Sequence, residues 1–433
     1  MFFQDREFEN KKYKEYFEAE HYLNQGLIRT TVPQEQKKLT RREWMLRFLD
    51  DLNHPEKKFP SIHIAGTSGK SSTAVLIAEI LRAAGYRVGL HTTPYLQLGV
   101  EKYWVDGKYI EPDEFVDLIE WIKPICEKWR GPNVPLHGMA SFGICLEYFR
   151  RKKIDIAVIE TGVGGRDDIT NVIHPCLSVI TPIGFDHEKT LGETIESISG
   201  HKAGIIKPKV PVVAYKGYGK DVILSEADKK NSSVHWVEEN NSSFIVPKGM
   251  QGKFQYINIS LAKSAAEVLK KQEYSLNDSN IKKGINRAKI PGRFEILQNN
   301  PVVVIDGAHN YQKLYRLFEE LKEKNWILIF GMLKSKINED VLNLLKNKSS
   351  EIIFTKPVVY GKEALNPKII RSYFSKKKIS CIPLPRKALQ TVLKSAKSED
   401  TVVVTGSLYL AGNIRDLYFP SEKILESGTS WPL

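Results

Sequence analysis

Residues 66–72, Gly-Thr-Ser-Gly-Lys-Ser-Ser, combine small residues, one lysine and following hydroxyls in the order a phosphate-binding loop requires. Glycines let the backbone turn tightly, so that successive N–H groups can face phosphate oxygens. Lys70 supplies a cation for the terminal phosphates of a nucleotide, and a hydroxyl after it can reach Mg2+. The strict Walker spacing wants glycine where Ile64 stands, so the general motif is met in part, and an ordinary strand-to-helix turn is the alternative reading. Further along, Glu160 leads into GVGGRDDITN, Asp186 and His187 lie in TPIGFDHEKT, and Lys202 lies in GHKAGIIKP. A carboxylate and an imidazole beside a phosphate loop could hold magnesium. Taken singly, Glu160 could cap a turn and His187 could be a satisfied loop histidine. Asp306, His309 and Asn310 share the turn in VVVIDGAHN, which is weak evidence by itself.

These residues fall at the ends of apolar runs. Ser61–Ala65 reads as a strand, 72–84 as a helix stopped by Gly85, and Val88–His91 as the next strand, giving a βαβ unit around the glycine loop. Buried-type strands follow at 154–160, 177–181 and 210–214, with helical patterns between them. A parallel sheet with helices on both faces is expected, and such sheets bind ligands at their strand ends. After the PGR triplet at 291–293 the pattern restarts, with strands at Val302–Ile305, Trp326–Phe330, 351–355 and Thr401–Thr405 and helices such as 311–324. The expected organisation is α/β throughout. A P-loop-type parallel-sheet domain over 1–290, opening with a polar helical segment, precedes a smaller α/β domain over 291–433.

The chain has 433 residues, 42% hydrophobic and 27% charged, with a formal net charge of +13. Nucleic-acid binding is one reading of that charge. However, the lysines and arginines are spread along the chain, the densest run (Lys376, Lys377, Lys378) is short, and no basic-aromatic motif accompanies it. A solvated, lysine-rich surface is the favoured reading, and its field suits a polyanionic substrate such as ATP. The four cysteines, Cys126, Cys145, Cys176 and Cys381, lie far apart with no metal-ligand spacing, which argues against disulfides and structural zinc. The first twenty residues lack an apolar signal core, and no run approaches the roughly 20 apolar residues of a membrane span. A cytoplasmic protein without membrane or nucleic-acid partners is expected.

Nine segments in order resemble the Mur ligase superfamily, and most closely the folylpolyglutamate synthase/dihydrofolate synthase family. They are KFPSIHIAGTSGKSS, LRAAGYRVGLHTTPYL, VIETGVGGRDDITNVI, SVITPIGFDHEKTLGETI, HKAGIIK, PGRFE, VVVIDGAHN, FGMLKSK and VVVTGSLYLAGNIR. The resemblance implies an ATP-binding domain followed by a Rossmann-like domain, and an ATP- and Mg2+-dependent ligase. Such an enzyme makes an acyl phosphate on a folate-like acid and couples it to glutamate. It implies that Gly66, Thr67, Ser68, Gly69, Lys70, Ser71 and Ser72 hold the phosphates, and that Thr93, Glu160 and His187 are magnesium ligands. Lys202 matches a lysine that can be carbamylated. Asn258, Arg293 and Asp306 match nucleotide contacts, Arg293 near the phosphates. His309 and Ser407 match positions that place the amino acid and nucleotide. Lys70, His187, Lys202 and His309 are thereby the catalytic candidates, and a monomer is the expected state.

The sequence departs from the family on the acceptor side. Tyr95 stands for a histidine, Glu101 and Lys102 remain of a longer pattern, Leu136, His137, Gly138 and Met139 replace a Thr-Tyr-Phe-Glu-like run, and Ile337 replaces an aspartate. Ser68, Ser71 and Thr93 are conservative changes on the ATP side. A relative acting on another acid is therefore the second reading. A basic nucleic-acid-stimulated ATPase and a silent homologue are the others, the last opposed by the presence of Lys70, Glu160, His187 and Lys202.

Overall fold

Runs of four or five residues rich in valine and isoleucine form the central strands, because β-branched side chains suit a pleated surface covered on both faces. The computed structural model describes residues 11–27, 39–131, 134–238, 246–247, 249–321, 326–348, 351–359, 362–374 and 379–432. The lysine run 376–378 lies outside them. Two compact units result. One comprises Met1–Tyr95, Gly99–Phe244 and Tyr256–Ala288, the other Leu96–Leu98, Ile245–Gln255 and Lys289–Leu433.

Among the described residues, the first unit holds eight strands: β1 (Ser61–Ala65), β2 (Val88–His91), β3 (Trp104–Val105), β4 (Lys108–Tyr109), β5 (Ile156–Glu160), β6 (Leu177–Ile180), β7 (Val212–Tyr215) and β8 (Val234–Val237). Their order is β4-β3-β2-β5-β1-β6-β7-β8. All pairings are parallel except β2–β3 and β3–β4. The antiparallel edge follows from Asp106 and Gly107, both at positive φ, which close a two-residue hairpin of the type that Asp-Gly favours. The helix after β1 runs Lys70–Ala83, starting two residues earlier than its apolar pattern does. It packs on the helix Asp278–Arg287, where a Cβ on Gly284 would stand 2.4 Å from Ile80 Cα. The N-terminal region supplies the helices Lys11–His21 and Arg41–Asp51, the second opened by a Thr40/Glu43 capping box.

The second unit holds β9 (Glu295–Asn299), β10 (Val302–Ile305), β11 (Trp326–Phe330), β12 (Glu351–Phe354), β13 (Ile379–Cys381) and β14 (Thr401–Thr405). Their order is β13-β12-β11-β14-β10-β9, parallel except for β9–β10. Alternate residues face opposite cores, as period-two strands require. Val304, Leu328, Phe330 and Val403 pack with Leu314, Leu317 and Phe318 of the helix Tyr311–Glu320. Val303, Ile305, Ile329 and Val404 pack with Leu389 and Val392 of Pro385–Ser395 and with Leu410 and Ile414 of Leu408–Arg415. Both units are thus mostly parallel sheets flanked by helices, the expected α/β class.

Candidate active site

The register of the first sheet brings its chemistry together. Ile64 of β1 pairs with Glu160 of β5, and Ala65 pairs with Ile180 of β6. The loop leaving β1 is therefore flanked by Glu160 on one side and by 181–187 on the other. Gly66 (φ 152°) passes so close to β6 that a Cβ would lie 1.9 Å from Thr181 Oγ1. Gly69 (φ 86°) is the N-cap of Lys70–Ala83, and a Cβ there would lie 2.2 Å from Asn258 Oδ1. Among the described residues, no side chain caps this helix. The N–H groups of Lys70, Ser71 and Ser72 have no intrahelical acceptor and carry the positive end of the helix dipole.

The amides of Thr67 and Ser68 are used differently. Both donate to the carbonyl of Pro182, at 3.0 and 3.2 Å, while Thr67 Oγ1 exchanges hydrogen bonds with the backbone of Gly184. The first half of the loop is fastened to the strand beside it, which leaves the helix-side amides to face an anion. Lys70 and Lys202 both donate to the carbonyl of Gly66, at 3.2 and 2.9 Å. Lys202, 3% exposed, reaches it from the helix Ile195–Ala203.

Glu160, 1% exposed, is the acidic centre. Its Oε2 accepts from Ser71 Oγ at 2.8 Å and from Thr93 N at 3.2 Å, and its Oε1 lies 3.9 Å from Lys70 Nζ. Thr93, Glu160, Lys70 and Ser71 thus form one group. The hydroxyls of Thr161 and Thr181 are buried at the ends of β5 and β6 without a hydrogen-bond partner among the described residues. A carboxylate with hydroxyl oxygens around it is a hard donor set, which fits magnesium in character. Among the described residues, no three His, Cys, Asp or Glu side chains converge; the expected ligands include only two of those types. His187 sits at φ 59° ahead of the short helix Glu188–Leu191, with Nε2 3.8 Å from Asp186 Oδ1. Asn258, buried, accepts from Thr73 Oγ1 at 3.4 Å, which places it beside the loop.

The acceptor-side departures form their own contacts. Residues 136–139 are the first turn of the helix Leu136–Arg151, with Leu136 and Met139 buried and His137 Nε2 donating to Asn24 Oδ1 at 3.1 Å. Lys102 is buried over the Tyr95 ring and donates to Ser141 Oγ at 2.8 Å.

In the second unit, Asp306 follows β10. Its carboxylate accepts from Phe294 N at 2.8 Å and Ala308 N at 2.7 Å. Burial pushes its pKa up, against the pull of the nearby Arg293 cation. His309 Nδ1 lies 2.8 Å from the Gly307 carbonyl, which can only accept, so Nδ1 carries the proton and Nε2 faces Lys313 Nζ at 3.3 Å. Ser407, buried, caps Leu408–Arg415 by accepting from Tyr409 N at 3.2 Å, a structural use of its oxygen. Sequence reasoning passed over Asp168, whose carboxylate ties Val163 N to Thr170 and so folds the glycine stretch after Glu160. An aspartate two residues before a threonine, inside a glycine-rich stretch, was the available signal.

Known proteins resemble this chain in sequence and in fold. Residues 292–408 match the family described as Mur ligase, glutamate ligase domain. The chain is 32% identical over 402 residues to a dihydrofolate synthase/folylpolyglutamate synthase of Bacillus subtilis, covering 86% of this chain and 93% of that one. It is 30% identical to a folylpolyglutamate synthase of Lacticaseibacillus casei, covering 86% and 92% respectively. Among solved structures, Mycobacterium tuberculosis folylpolyglutamate synthase complexed with ADP and AMPPCP superposes with a TM-score of 0.82 at 26% identity, covering 94% of this chain and 99% of that one.

Proposed function

The chain belongs to the dihydrofolate synthase/folylpolyglutamate synthase family, and we propose that its phosphate-loop group activates a folate-type acid for coupling to glutamate. It is an ATP-dependent ligase. A carboxylate is a poor electrophile, so one of its oxygens first attacks the γ-phosphorus of ATP, and the bond to ADP breaks. The neutral amine of glutamate then attacks the carbonyl carbon of the acyl phosphate. The nitrogen loses its proton, the bond to phosphate breaks, and amide, ADP and phosphate result.

Lys70 and the amides of 69–72 take the phosphates, and Lys70 offsets their charge as the phosphoryl group moves. Lys202 holds the Gly66 carbonyl and so the start of the loop. Thr93, Glu160 and His187 would hold magnesium, which supplies further charge neutralisation when bound. Asn258, Arg293 and Asp306 contact the nucleotide, Arg293 toward its phosphates. His309 helps place glutamate, with Ser407 shaping the adjoining turn. We place the enzyme in the cytoplasm, working as a monomer.

The observation that carries this reading is the meeting of Lys70, Ser71, Thr93 and Glu160 at the ends of β1, β2 and β5. The test is an ADP-release screen in which dihydropteroate, folates and other small acids are each offered with a panel of amino acids. Release that requires both a pterin acid and glutamate supports the proposal. The altered turn at 136–139 favours a second reading, another acid acceptor. Turnover with such an acid and none with any pterin would overturn the folate assignment and leave the ligase chemistry in place.

A further inference from the structure

Arg415 is the largest fully buried side chain among the described residues, and its contacts lie within the second unit. Its Nε is 2.9 and 3.0 Å from the two carboxylate oxygens of Glu295. One terminal nitrogen donates to Gln97 Oε1 at 2.7 Å and the other to the Ser430 carbonyl at 2.6 Å. The guanidinium lies 4.3 Å from the centre of the Phe419 ring and 5.5 Å from that of Trp431. Burying an ion pair is costly unless its hydrogen bonds are complete, and apolar side chains could fill the same volume at least as stably. The pair is therefore better understood by what it holds in place.

What it holds is the PGR turn. Glu295 Oε2 also accepts from Gly292 N at 2.7 Å. Gly292, at φ 67°, accepts at its carbonyl from Gly307 N at 2.9 Å. Arg293 is the next residue, and its guanidinium lies against Gly307, where a Cβ would stand 2.2 Å from Arg293 Nη1. Leu96, beside Gln97, closes the other side of the turn, because a Cβ on Gly292 would meet its side chain at 2.9 Å. A continuous set of contacts thus runs from Gln97 through Arg415 and Glu295 to the backbone that aims Arg293.

We propose that Glu295 and Arg415 are positioning residues for nucleotide binding, acting through the PGR turn to hold Arg293 in its phosphate-facing position. This rests on the reading that Arg293 meets the phosphates of ATP. The test uses the full-length enzyme and reads ADP affinity by calorimetry, alongside the KM for ATP and the kcat. Glu295→Gln is expected to weaken ADP and raise the KM for ATP about fivefold to tenfold, while kcat and the KM for glutamate stay within about twofold. In an Arg293→Ala background the same substitution should add less than about 1.5-fold, because the group it positions is gone. An equal loss of ADP affinity in both backgrounds, or folded Glu295→Gln protein with unchanged affinity, overturns the proposal. If Glu295→Gln does not fold, Gln97→Ala removes one acceptor of the guanidinium without touching the turn. It should give a smaller loss, about twofold to threefold, that again disappears in Arg293→Ala, and an additive or absent effect overturns the proposal equally. Failure of the unmodified enzyme to bind ADP would instead count against the functional reading.

Discussion

Two ammonium groups, from Lys70 and Lys202, converge on the one carbonyl of Gly66, yet they serve different ends. Lys202 is buried and anchors the loop. Lys70 is partly exposed beside Glu160 and keeps donors available for an anion. Replacing Lys70 with alanine should therefore abolish ADP release while shifting the melting temperature by no more than a few degrees, measured by turnover and thermal unfolding on the same preparation. Retained turnover would remove the loop from the mechanism. Two buried histidines carry a different, pH-dependent consequence. Burial lowers the pKa of His63 to about 3 and that of His91 to about 4. A base depressed in this way contributes its stability above its ordinary pKa of 6.5 and loses it as pH falls toward the folded value. Each unit of that fall costs about 1.4 kcal/mol per histidine, so at pH 5 each would have lost roughly 2 kcal/mol. Asp306, raised by burial, acts in the opposite sense as pH climbs above 3.8. The clean measurement is thus a difference. Denaturant unfolding from pH 7 to 5 should show a flatter loss for His63→Asn than for the unmodified protein, and parallel slopes would refute the assignment.

At the scale of elements, the sequence announces what is long, apolar and locally ordered. β1, β2, β10, β11 and β14 are legible to the residue because each is an apolar run bounded by glycine or polar residues. So is the phosphate loop, whose strand-before and helix-after setting lies in one continuous stretch. The strands β8, β9 and β13 escape, being only partly buried edge strands with a weak apolar pattern. The hairpin of β3 and β4 is signalled by Asp106-Gly107 and is missed only because its strands are two residues each. Among the site residues, Lys70 and Glu160 could be found from strand ends, whereas Gln97 and Arg415, 318 positions apart, share no local signal at all. The same limit applies to helix pairing. Gly284 looks like a weak spot in a helix, yet it is what lets Asp278–Arg287 approach the backbone of Ile80 in the helix that follows the phosphate loop. Gly284→Ala would gain helix propensity, but its Cβ would overlap backbone atoms that cannot swing aside. Overpacking should win, destabilising the protein by about 1–3 kcal/mol in chemical unfolding, and a stabilised variant would show that the helices can part without cost.

At the scale of the molecule, the net charge of +13 sets the terms on which any ligand arrives. Charge alone would also suit a nucleic acid, so the discriminating quantity is how the chemistry responds to salt and to polyanions. In a ligase with a small anionic substrate, a positive field raises the encounter rate with ATP, and salt screens that attraction once the Debye length falls below about 10 Å. The value of kcat/KM for ATP should then fall modestly, about threefold between 50 and 300 mM salt, with kcat nearly constant because the bound phosphates are held by Lys70 and the helix-side amides at short range. A nucleic-acid-driven ATPase behaves otherwise. Its turnover rises when DNA or RNA is added, and that stimulation collapses over the same salt range as counterions compete for many phosphate contacts. ADP release measured at both salt concentrations, with and without RNA, therefore separates the two. Stimulation by RNA in the absence of an acid acceptor would contradict the ligase. If the surface charge is a solvated field and the working site is the group of residues around Gly66 and Glu160, RNA should inhibit ADP release or leave it unchanged.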